Sequence, residues 1–160
     1  EKGVDVLSDL AKILPSDINL IILGSGPKEN LIKNIKKSNV SYFGYLPKNE
    51  TISLIRGSDI LIQPSKIEGV SSTILEAMAC KVPVITTNVG GNKEIIEHNK
   101  TGILIEPNNS KKLLDEILNL FINSKIKNEL INSAYIDVQK YDWKYVGKLY
   151  LDLYDELLKS

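Results

Sequence analysis

Cysteine and histidine are almost absent from this chain. Its 160 residues include one of each, Cys80 and His98. A single cysteine excludes an internal disulfide framework and a cysteine-based zinc site, and a single histidine excludes a histidine-cluster metal site. His98 closes the segment NKEIIEH and is interpreted as capping a helix end, so no Ser-His-Asp or Cys-His nucleophile arrangement is expected. Cys80, in an apolar helical segment, is interpreted as a buried small residue.

An excess of charge of either sign is also missing. Twenty basic residues balance twenty acidic ones, so no global field favours binding to nucleic acid or to an anionic membrane. Arg56 is the only arginine, and the chain therefore cannot clamp a phosphate with several guanidinium groups. No apolar run approaches the ~18 residues of a membrane span, and charged residues occupy the start of the chain where a signal peptide would lie. These features predict a cytoplasmic protein without a nucleic-acid partner.

What the chain does contain is a regular alternation of short apolar runs and amphipathic segments. Most runs are continuously apolar, as strands buried on both faces are, and segments of helical period separate them. This order predicts an α/β fold with a Rossmann-like, doubly wound parallel sheet, helices on both faces and further helices at the C-terminal end. No repeat or linker divides residues 1–160, which should form a single domain. The predicted strands are Asn19–Leu23, Val40–Phe43, Asp59–Gln63, Val82–Thr86 and Gly102–Ile105.

The C-terminal third has no strand pattern. Helical patterns continue from Ser110 to the end of the chain, and the last one begins at Asp142. Its apolar residues recur at intervals of three or four, which gives a wide apolar face. Two interpretations stay open: the face packs on the domain's own sheet, or part of it packs on something outside this chain. The residues that form it are Trp143, Val146, Tyr150, Leu153 and Leu157.

Loops that contain glycine or proline follow four of the predicted strands. In open parallel sheets, ligands bind at the edge where the carboxyl ends of the strands gather such loops, so these four loops should line one rim. Gly24-Ser25-Gly26 hints at a dinucleotide loop, but Glu29 replaces the third glycine of G-x-G-x-x-G and the signal is weak. The loops are 24–27, 44–47, 64–69 and 88–91.

Two glutamates on this part of the chain, Glu68 and Glu76, flank a turn of small residues that leads into the helical segment ILEAMA. Backbone N–H groups at an uncrowded helix start form an anion site. A phosphate bound there would have a carboxylate on each side, and carboxylates accept hydrogen bonds well from vicinal hydroxyls. This layout suits a nucleotide sugar, which carries sugar hydroxyls, a diphosphate and ribose hydroxyls in that order.

Both glutamates also have a purely structural interpretation. The segment from Thr73 to Glu76 matches the capping box T-x-x-E, which by itself would account for Glu76. Glu68 fits a solvated loop residue near Lys66. The spacing alone does not decide between a structural and a ligand-binding role.

A series of short motifs runs in order along nearly the whole chain. They are EKG at 1–3, ILGSGP at 22–27, FGYL at 43–46, SDILIQPS at 58–65, E-G-x5-LEAMA at 68–79, VPVITTNVGG at 82–91 and TGILIEP at 101–107. The set resembles the C-terminal, donor-binding half of the retaining glycosyltransferases of family 4, which have the two-domain GT-B fold. The E-x7-E pair with its flanking AMA and VPV is the specific part of the resemblance.

The resemblance implies an enzyme that transfers a sugar from a nucleoside diphosphate sugar to an acceptor, with this chain supplying donor binding. It implies that Glu68, the catalytic candidate, holds hydroxyls of the transferred sugar and that Glu76 holds the ribose hydroxyls. Lys2 would neutralise the departing diphosphate, which backbone N–H groups from Ser71 to Ile74 would meet, and residues 43–46 would border the base. No metal or other cofactor is implied. The donor-binding candidates are Lys2, Gly24, Gly26, Tyr45, Leu46, Glu68, Gly69, Val70, Ser71, Ser72, Thr73, Ile74 and Glu76.

The sequence departs from the family pattern at several positions. Lys81 stands where the family usually has glycine, which costs free energy if its φ is positive. Ser71-Ser72 replaces a frequent glycine and apolar residue, a change that bears on sugar choice. Asn92-Lys93 replaces a common Ile-Pro pair, which bears on the contacts of that loop.

The resemblance also implies parts outside this sequence. The family's first strand and a phosphate-binding arginine would lie just before Glu1, so we expect either a preceding segment or a gap in the sheet that another copy could fill. The acceptor-binding N-terminal domain is an expected partner. This chain alone is therefore expected to bind a donor at best and not to transfer sugar. The resemblance is compatible with peripheral association of the whole enzyme with a membrane.

Two other functions stay open. A sugar-nucleotide epimerase of the same fold would need acid and base side chains near the sugar carbon, and the E-x7-E pattern argues against it. A non-catalytic nucleotide-binding or assembly module would keep the fold without transferring a sugar.

Overall fold

Five strands alternate with helices over the first two thirds of the chain. The computed structural model describes residues 1–159. All five predicted strands are present, with bounds a residue or two from the predicted ones. They are β1 Leu20–Leu23, β2 Val40–Gly44, β3 Leu61–Gln63, β4 Val84–Thr87 and β5 Ile103–Ile105.

Helices connect the strands and form the whole C-terminal third, as predicted. A short 3₁₀ helix, Val138–Tyr141, precedes the last of them. The α-helices are α1 Val4–Ile13, α2 Asn30–Lys33, α3 Lys48–Arg56, α4 Ser72–Ala79, α5 Asn92–Ile95, α6 Ser110–Ile122, α7 Ser124–Asp137 and α8 Trp143–Leu157.

All strand pairs are parallel, but the strands form two sheets and not one. β1 pairs with β2, and β3, β4 and β5 pair in that order. Within residues 1–159, β1 and β3 therefore each have one edge without a strand partner. Both sheets still share one buried apolar cluster, which contains Ile22 of β1 and Ile85 of β4.

Helices cover both faces of the strands. Successive side chains of a strand point to opposite faces, so neighbouring residues of one strand contact different helices. Ile85 of β4 lies in the same buried cluster as Leu10 of α1 and Leu113 of α6. Its neighbour Val84 lies in a second cluster with Ile74 of α4. The continuous apolar character of VPVIT therefore reflects burial on both sides, and the predicted α/β class with helices on both faces is confirmed.

A glycine pair after β4 allows two loops of the rim to touch through their backbones. Gly90 has a φ of 47°, and a Cβ added to it would lie 1.8 Å from the carbonyl oxygen of Glu68. A Cβ on Gly91 would lie 2.6 Å from the carbonyl oxygen of Gly69. The N–H of Gly91 donates to the Glu68 carbonyl at 3.2 Å. The pair therefore fixes the loop that carries Glu68.

The apolar face of α8 does not pack on the domain's sheet. No residue of α8 is buried, and Trp143 is 85% exposed. The helix contacts the 3₁₀ helix that precedes it. The interpretation that this face covers the domain's own sheet was wrong. None of the helices in residues 1–159 combines the length and apolar character needed to cross a bilayer.

His98 does not cap a helix. α5 ends at Ile95 because the next residue, Ile96, has extended backbone angles. His98 therefore lies in the turn that follows, where its Nδ1 accepts a hydrogen bond from the N–H of Leu104 at 3.0 Å. The helix-capping interpretation was wrong.

Lys81 has the backbone conformation that favours glycine, with a φ of 60°. The anticipated cost of a lysine at this position therefore applies. Its ammonium lies 4.5 Å from the centre of the Tyr135 ring, a cation–π contact that offsets part of this cost. Cys80, the residue before it, is half-buried rather than buried.

Substitution of Gly90 by alanine should destabilise the protein by about 1–3 kcal/mol or more, because it adds a clash with the Glu68 carbonyl to a left-handed backbone conformation. Urea unfolding measures this change. Gly26→Ala is the matched control, since a Cβ there meets no atom within 4 Å. Equal stability of the two variants would contradict the close packing of the two loops.

Candidate functional site

Glu68 is a nearly buried carboxylate held by three side chains. Its side chain is 9% exposed. The ammonium of Lys2 donates to both carboxylate oxygens at 2.8 Å. The Gln63 amide and the Ser65 hydroxyl donate to Oε2 at 2.7 and 2.9 Å. Glu68 is therefore not a solvated loop residue, and that interpretation of it was wrong.

The pKa of Glu68 results from opposing effects. Burial raises the pKa, because it disfavours the charged carboxylate. The hydrogen bonds from Lys2, Ser65 and Gln63 and the positive charge of Lys2 lower it and outweigh the burial. The pKa therefore lies below its ordinary value, and Glu68 is a carboxylate at neutral pH that can accept hydrogen bonds from hydroxyl groups.

Lys2 reaches Glu68 because the first residues of the chain run along the segment that follows β3. The N–H of Lys66 donates to the carbonyl oxygen of Glu1 at 2.7 Å. Gly3 has a φ of 71°, and a Cβ on it would lie 1.9 Å from the carbonyl oxygen of Pro64. An ion pair between Asp5 and Lys66 holds the same two segments together. The position of Lys2 thus depends on a close backbone approach that only glycine permits.

The N-terminus of α4 has no side-chain cap. Ser71 occupies the N-cap position, and its hydroxyl would ordinarily accept from a backbone N–H of the first turn. The structure has no such capping bond; the Ser71 hydroxyl donates to Oε1 of Gln63 at 2.9 Å. The first N–H groups of a helix have no intrahelical acceptor, so those of α4 are oriented to bind an anion.

Glu76 lies in the second turn of α4 and does not form a capping box. A capping box needs the glutamate at the third helical position, whereas α4 begins at Ser72 and places Glu76 fifth. Its carboxylate instead pairs with the ammonium of Lys48 at 3.3 Å. Lys48 is the first residue of α3, directly after the loop of Tyr45 and Leu46. The capping-box interpretation of Glu76 was therefore wrong.

The two remaining rim loops are open. Gly24 has a φ of 106°, and a Cβ on Gly24 or Gly26 would meet no atom within 4 Å. The hydroxyl of Tyr42 donates to the Gly24 carbonyl at 2.8 Å and fixes this turn. Tyr45 is 77% exposed. Leu46 lines a shallow cleft of about 440 Å³ together with Phe43, Asn49, Glu50, Ser53 and Leu54.

Lys2 contacts Glu68 directly and Ser71 is joined to Glu68 through Gln63, while Glu76 belongs to a separate pair with Lys48. The side chain of Ile74 is buried in the core, so only its backbone can belong to the site. Val70 is exposed, and Gly69 packs against Gly91. Sequence reasoning missed Gln63, Ser65 and Lys48 as site residues. The one available signal was a polar glutamine that closes the apolar run DILIQ.

Metal ligands do not converge anywhere in the described part of the chain. Residues 1–159 contain no group of three histidine, cysteine or carboxylate side chains placed to hold a metal ion. That the chain functions without a metal or cofactor stays a prediction.

Known proteins resemble this chain in sequence and in fold. The family model described as "Glycosyl transferases group 1" matches residues 1–137. An uncharacterized glycosyltransferase of Methanocaldococcus jannaschii is 34% identical over 97% of this chain and 46% of its own length. The C-terminal domain of a group 1 glycosyltransferase, LpcC of Francisella tularensis, is 28% identical and has a TM-score of 0.78 over 89% of this chain and 80% of its own.

The chain belongs to the group 1 glycosyltransferase family and corresponds to the C-terminal domain of its members. It spans less than half the length of the curated relatives it matches most strongly. The Anabaena protein HepE, solved in complex with UDP-glucose, has a TM-score of 0.85 at 22% identity over 97% of this chain and 45% of its own. At that identity the likeness shows the GT-B fold alone.

Replacement of Lys2 by methionine should reduce the acid sensitivity that Glu68 gives the protein. The pKa of Glu68 is lower in the folded than in the unfolded state, so the unfolded state binds the proton first. The stability contributed by Glu68 is present above the ordinary glutamate pKa of about 4.3 and is lost as the pH falls through the folded value. Lys2→Met should raise the pKa of Glu68 in the folded state. The pH range between the folded and the unfolded pKa, over which this stability is lost, then becomes narrower.

The measurement is urea unfolding from about pH 3 to pH 7. It compares wild type and Lys2→Met, each with and without Glu68→Gln, and so isolates the contribution of Glu68 to the free energy of unfolding. Lys12→Met is the control, because Lys12 forms an exposed pair with Asp9 on α1. If the Glu68 contribution has the same pH dependence with and without Lys2, the ion pair does not control the ionisation of Glu68.

Proposed function

We propose that this chain is the donor-binding part of a retaining glycosyltransferase and that it binds a nucleoside diphosphate sugar at the start of α4. The observation that carries the proposal is the uncapped N-terminus of α4 between Glu68 and Glu76, with the N-cap hydroxyl of Ser71 turned away from the helix. A helix that only served the fold would gain about 1 kcal/mol from a serine cap.

The diphosphate fits the first turn of α4. The aligned peptide dipoles place about half a positive charge at a helix N-terminus, and Lys2, the ion-pair partner of Glu68, adds an ammonium donor. Small residues, Ser71 and Ser72, leave the amides accessible. In the proposed complex Lys2 lies between the carboxylate of Glu68 and the diphosphate of the donor. There it stabilises the negative charge that develops on the leaving group.

The two glutamates fit the two ends of the donor. Glu68 is ionised, fixed and almost buried, and we assign it to the hydroxyls of the transferred sugar as the catalytic contact. Glu76 is more accessible, with 21% of its side chain exposed, and we assign it to the ribose hydroxyls. Tyr45 and Leu46 lie before Lys48, the partner of Glu76, and we assign them to the nucleobase. Gly24 and Gly26 leave space for the sugar end.

The other half of the relatives' length supplies, in this proposal, the acceptor-binding domain. Sugar transfer is then an activity of the complete protein, while this chain binds the donor. Retention of the anomeric configuration follows the family resemblance. A cytoplasmic location, with or without peripheral attachment to a membrane, stays a prediction.

Calorimetric titration of the 160-residue chain with UDP, GDP and ADP tests the proposal. UDP is the first choice, because a protein of the same fold was crystallised with UDP-glucose. One nucleotide should bind, and Glu76→Gln and Lys2→Met should each weaken it about tenfold or more, since each removes a charge-assisted contact of about 1.5–3 kcal/mol.

Glu97→Gln is the matched control, because Glu97 pairs with Lys100 away from this rim and should leave the affinity unchanged. The corresponding sugar nucleotide should lose more affinity in Glu68→Gln than the parent nucleotide does, because Glu68 contacts the sugar. A folded chain that binds none of the three nucleotides would contradict the proposal and favour an assembly module.

A further inference from the structure

We propose that Gln63 is the positioning residue of the donor site: its side-chain amide orients the sugar carboxylate Glu68 and at the same time keeps Ser71 from capping α4. The inference rests on the proposed function for the identity of the ligand. Its geometric basis is independent of the ligand, because one amide bridges the two residues directly. Gln63 Nε2 donates to Glu68 at 2.7 Å, and Gln63 Oε1 accepts from the Ser71 hydroxyl at 2.9 Å.

The direction of both hydrogen bonds follows from the charge on Glu68. An ionised carboxylate only accepts hydrogen bonds, so it requires the NH₂ end of the amide. The carbonyl end of Gln63 then faces Ser71 and has to receive its proton. A negative charge on Glu68 thus sets the orientation of the Ser71 hydroxyl through Gln63, which hydrogen-bonds to both residues.

Gln63 is itself fixed by the strand that carries it. It is the last residue of β3 and lies in register with Thr86 of β4. The Thr86 hydroxyl donates to the carbonyl oxygen of Gln63 at 2.9 Å, and the buried amide of Asn92 donates to that hydroxyl at 2.9 Å. These bonds hold the backbone of Gln63, so its amide has a defined position between the two site residues.

The consequence for α4 is a choice between two acceptors of its first N–H groups. A serine at the N-cap ordinarily competes with any anion for these groups. In the structure, the Ser71 hydroxyl that donates to Gln63 makes no capping bond, so the amides stay available to a diphosphate. Gln63 therefore couples the sugar end of the site to its phosphate end.

The variant Gln63→Met keeps the length of the side chain and removes both hydrogen bonds. The titration midpoint of Glu68, measured by NMR on the carboxyl carbon, should rise, because a hydrogen bond to a charged group has been lost. Lys2 is the charged group in contact with Glu68, and it is unchanged. Gln139→Met, the same substitution at a residue that does not contact Glu68, should leave the midpoint unaltered.

The second readout separates positioning from general packing. Gln63→Met should weaken UDP about threefold to tenfold by releasing Ser71 to cap α4, and the added substitution Ser71→Ala should restore this loss. The difference in affinity between UDP-glucose and UDP should not be restored, because Glu68 still lacks its hydrogen bond from Gln63. If UDP does not bind, the same comparison is made with GDP and GDP-mannose or with ADP and ADP-glucose.

An unchanged Glu68 midpoint in folded Gln63→Met, or a loss of nucleotide affinity that Ser71→Ala does not restore, would overturn the inference. If that variant does not fold, the wild type gives the answer: the side-chain NH₂ signals of Gln63 should titrate with the Glu68 midpoint and cease to do so in Glu68→Gln. Failure of all three nucleotides to bind would contradict the proposed function, while the Glu68 midpoint still tests Gln63.

Discussion

The site depends on one carboxylate that is ionised although it is almost buried. Glu68 loses hydration in its loop, and this cost is offset by a lysine from the start of the chain and by two neutral donors that follow or close β3. Those donors can reach it only because Gly3 and the Gly90-Gly91 pair let backbones approach closely. A single charge thus links the first residues, the end of β3 and the loop after β4.

The same charge explains why the start of α4 is open. An ionised Glu68 orients the amide of Gln63, and the amide takes the hydroxyl of Ser71 away from the helix. The N-terminus of α4 then carries a partial positive charge without a side-chain partner. Carboxylates on both sides and unpaired amides in the middle form an arrangement that suits a polar ligand with hydroxyls at its ends and a phosphate at its centre.

Much of this could be predicted from the sequence, and the failures have physical causes. Apolar runs predicted all five strands, because the apolar character of a run can be read from its own residues. Only β4 is buried throughout, whereas burial alternates along β1 and β2. The capping box predicted at Thr73 to Glu76 is absent because α4 begins two residues earlier than that motif requires. The predictions for His98 and for the apolar face of α8 were wrong because a local sequence pattern does not show which groups meet in the fold. His98 accepts a hydrogen bond from Leu104, and the apolar side chains of α8 stay exposed. Gln63 and Lys48 could not be found, since their partners lie five and 28 positions away in the chain.

The most direct test of the central claim is an amide NMR titration of this chain with the nucleoside diphosphate that binds it. The account predicts that the largest shifts occur at the N–H groups of Ser72, Thr73 and Ile74, with smaller ones at Lys2 and Glu76. Shifts concentrated at another helix start, such as that of α6, with the α4 amides unaffected, would contradict the claim that the open end of α4 is the diphosphate site.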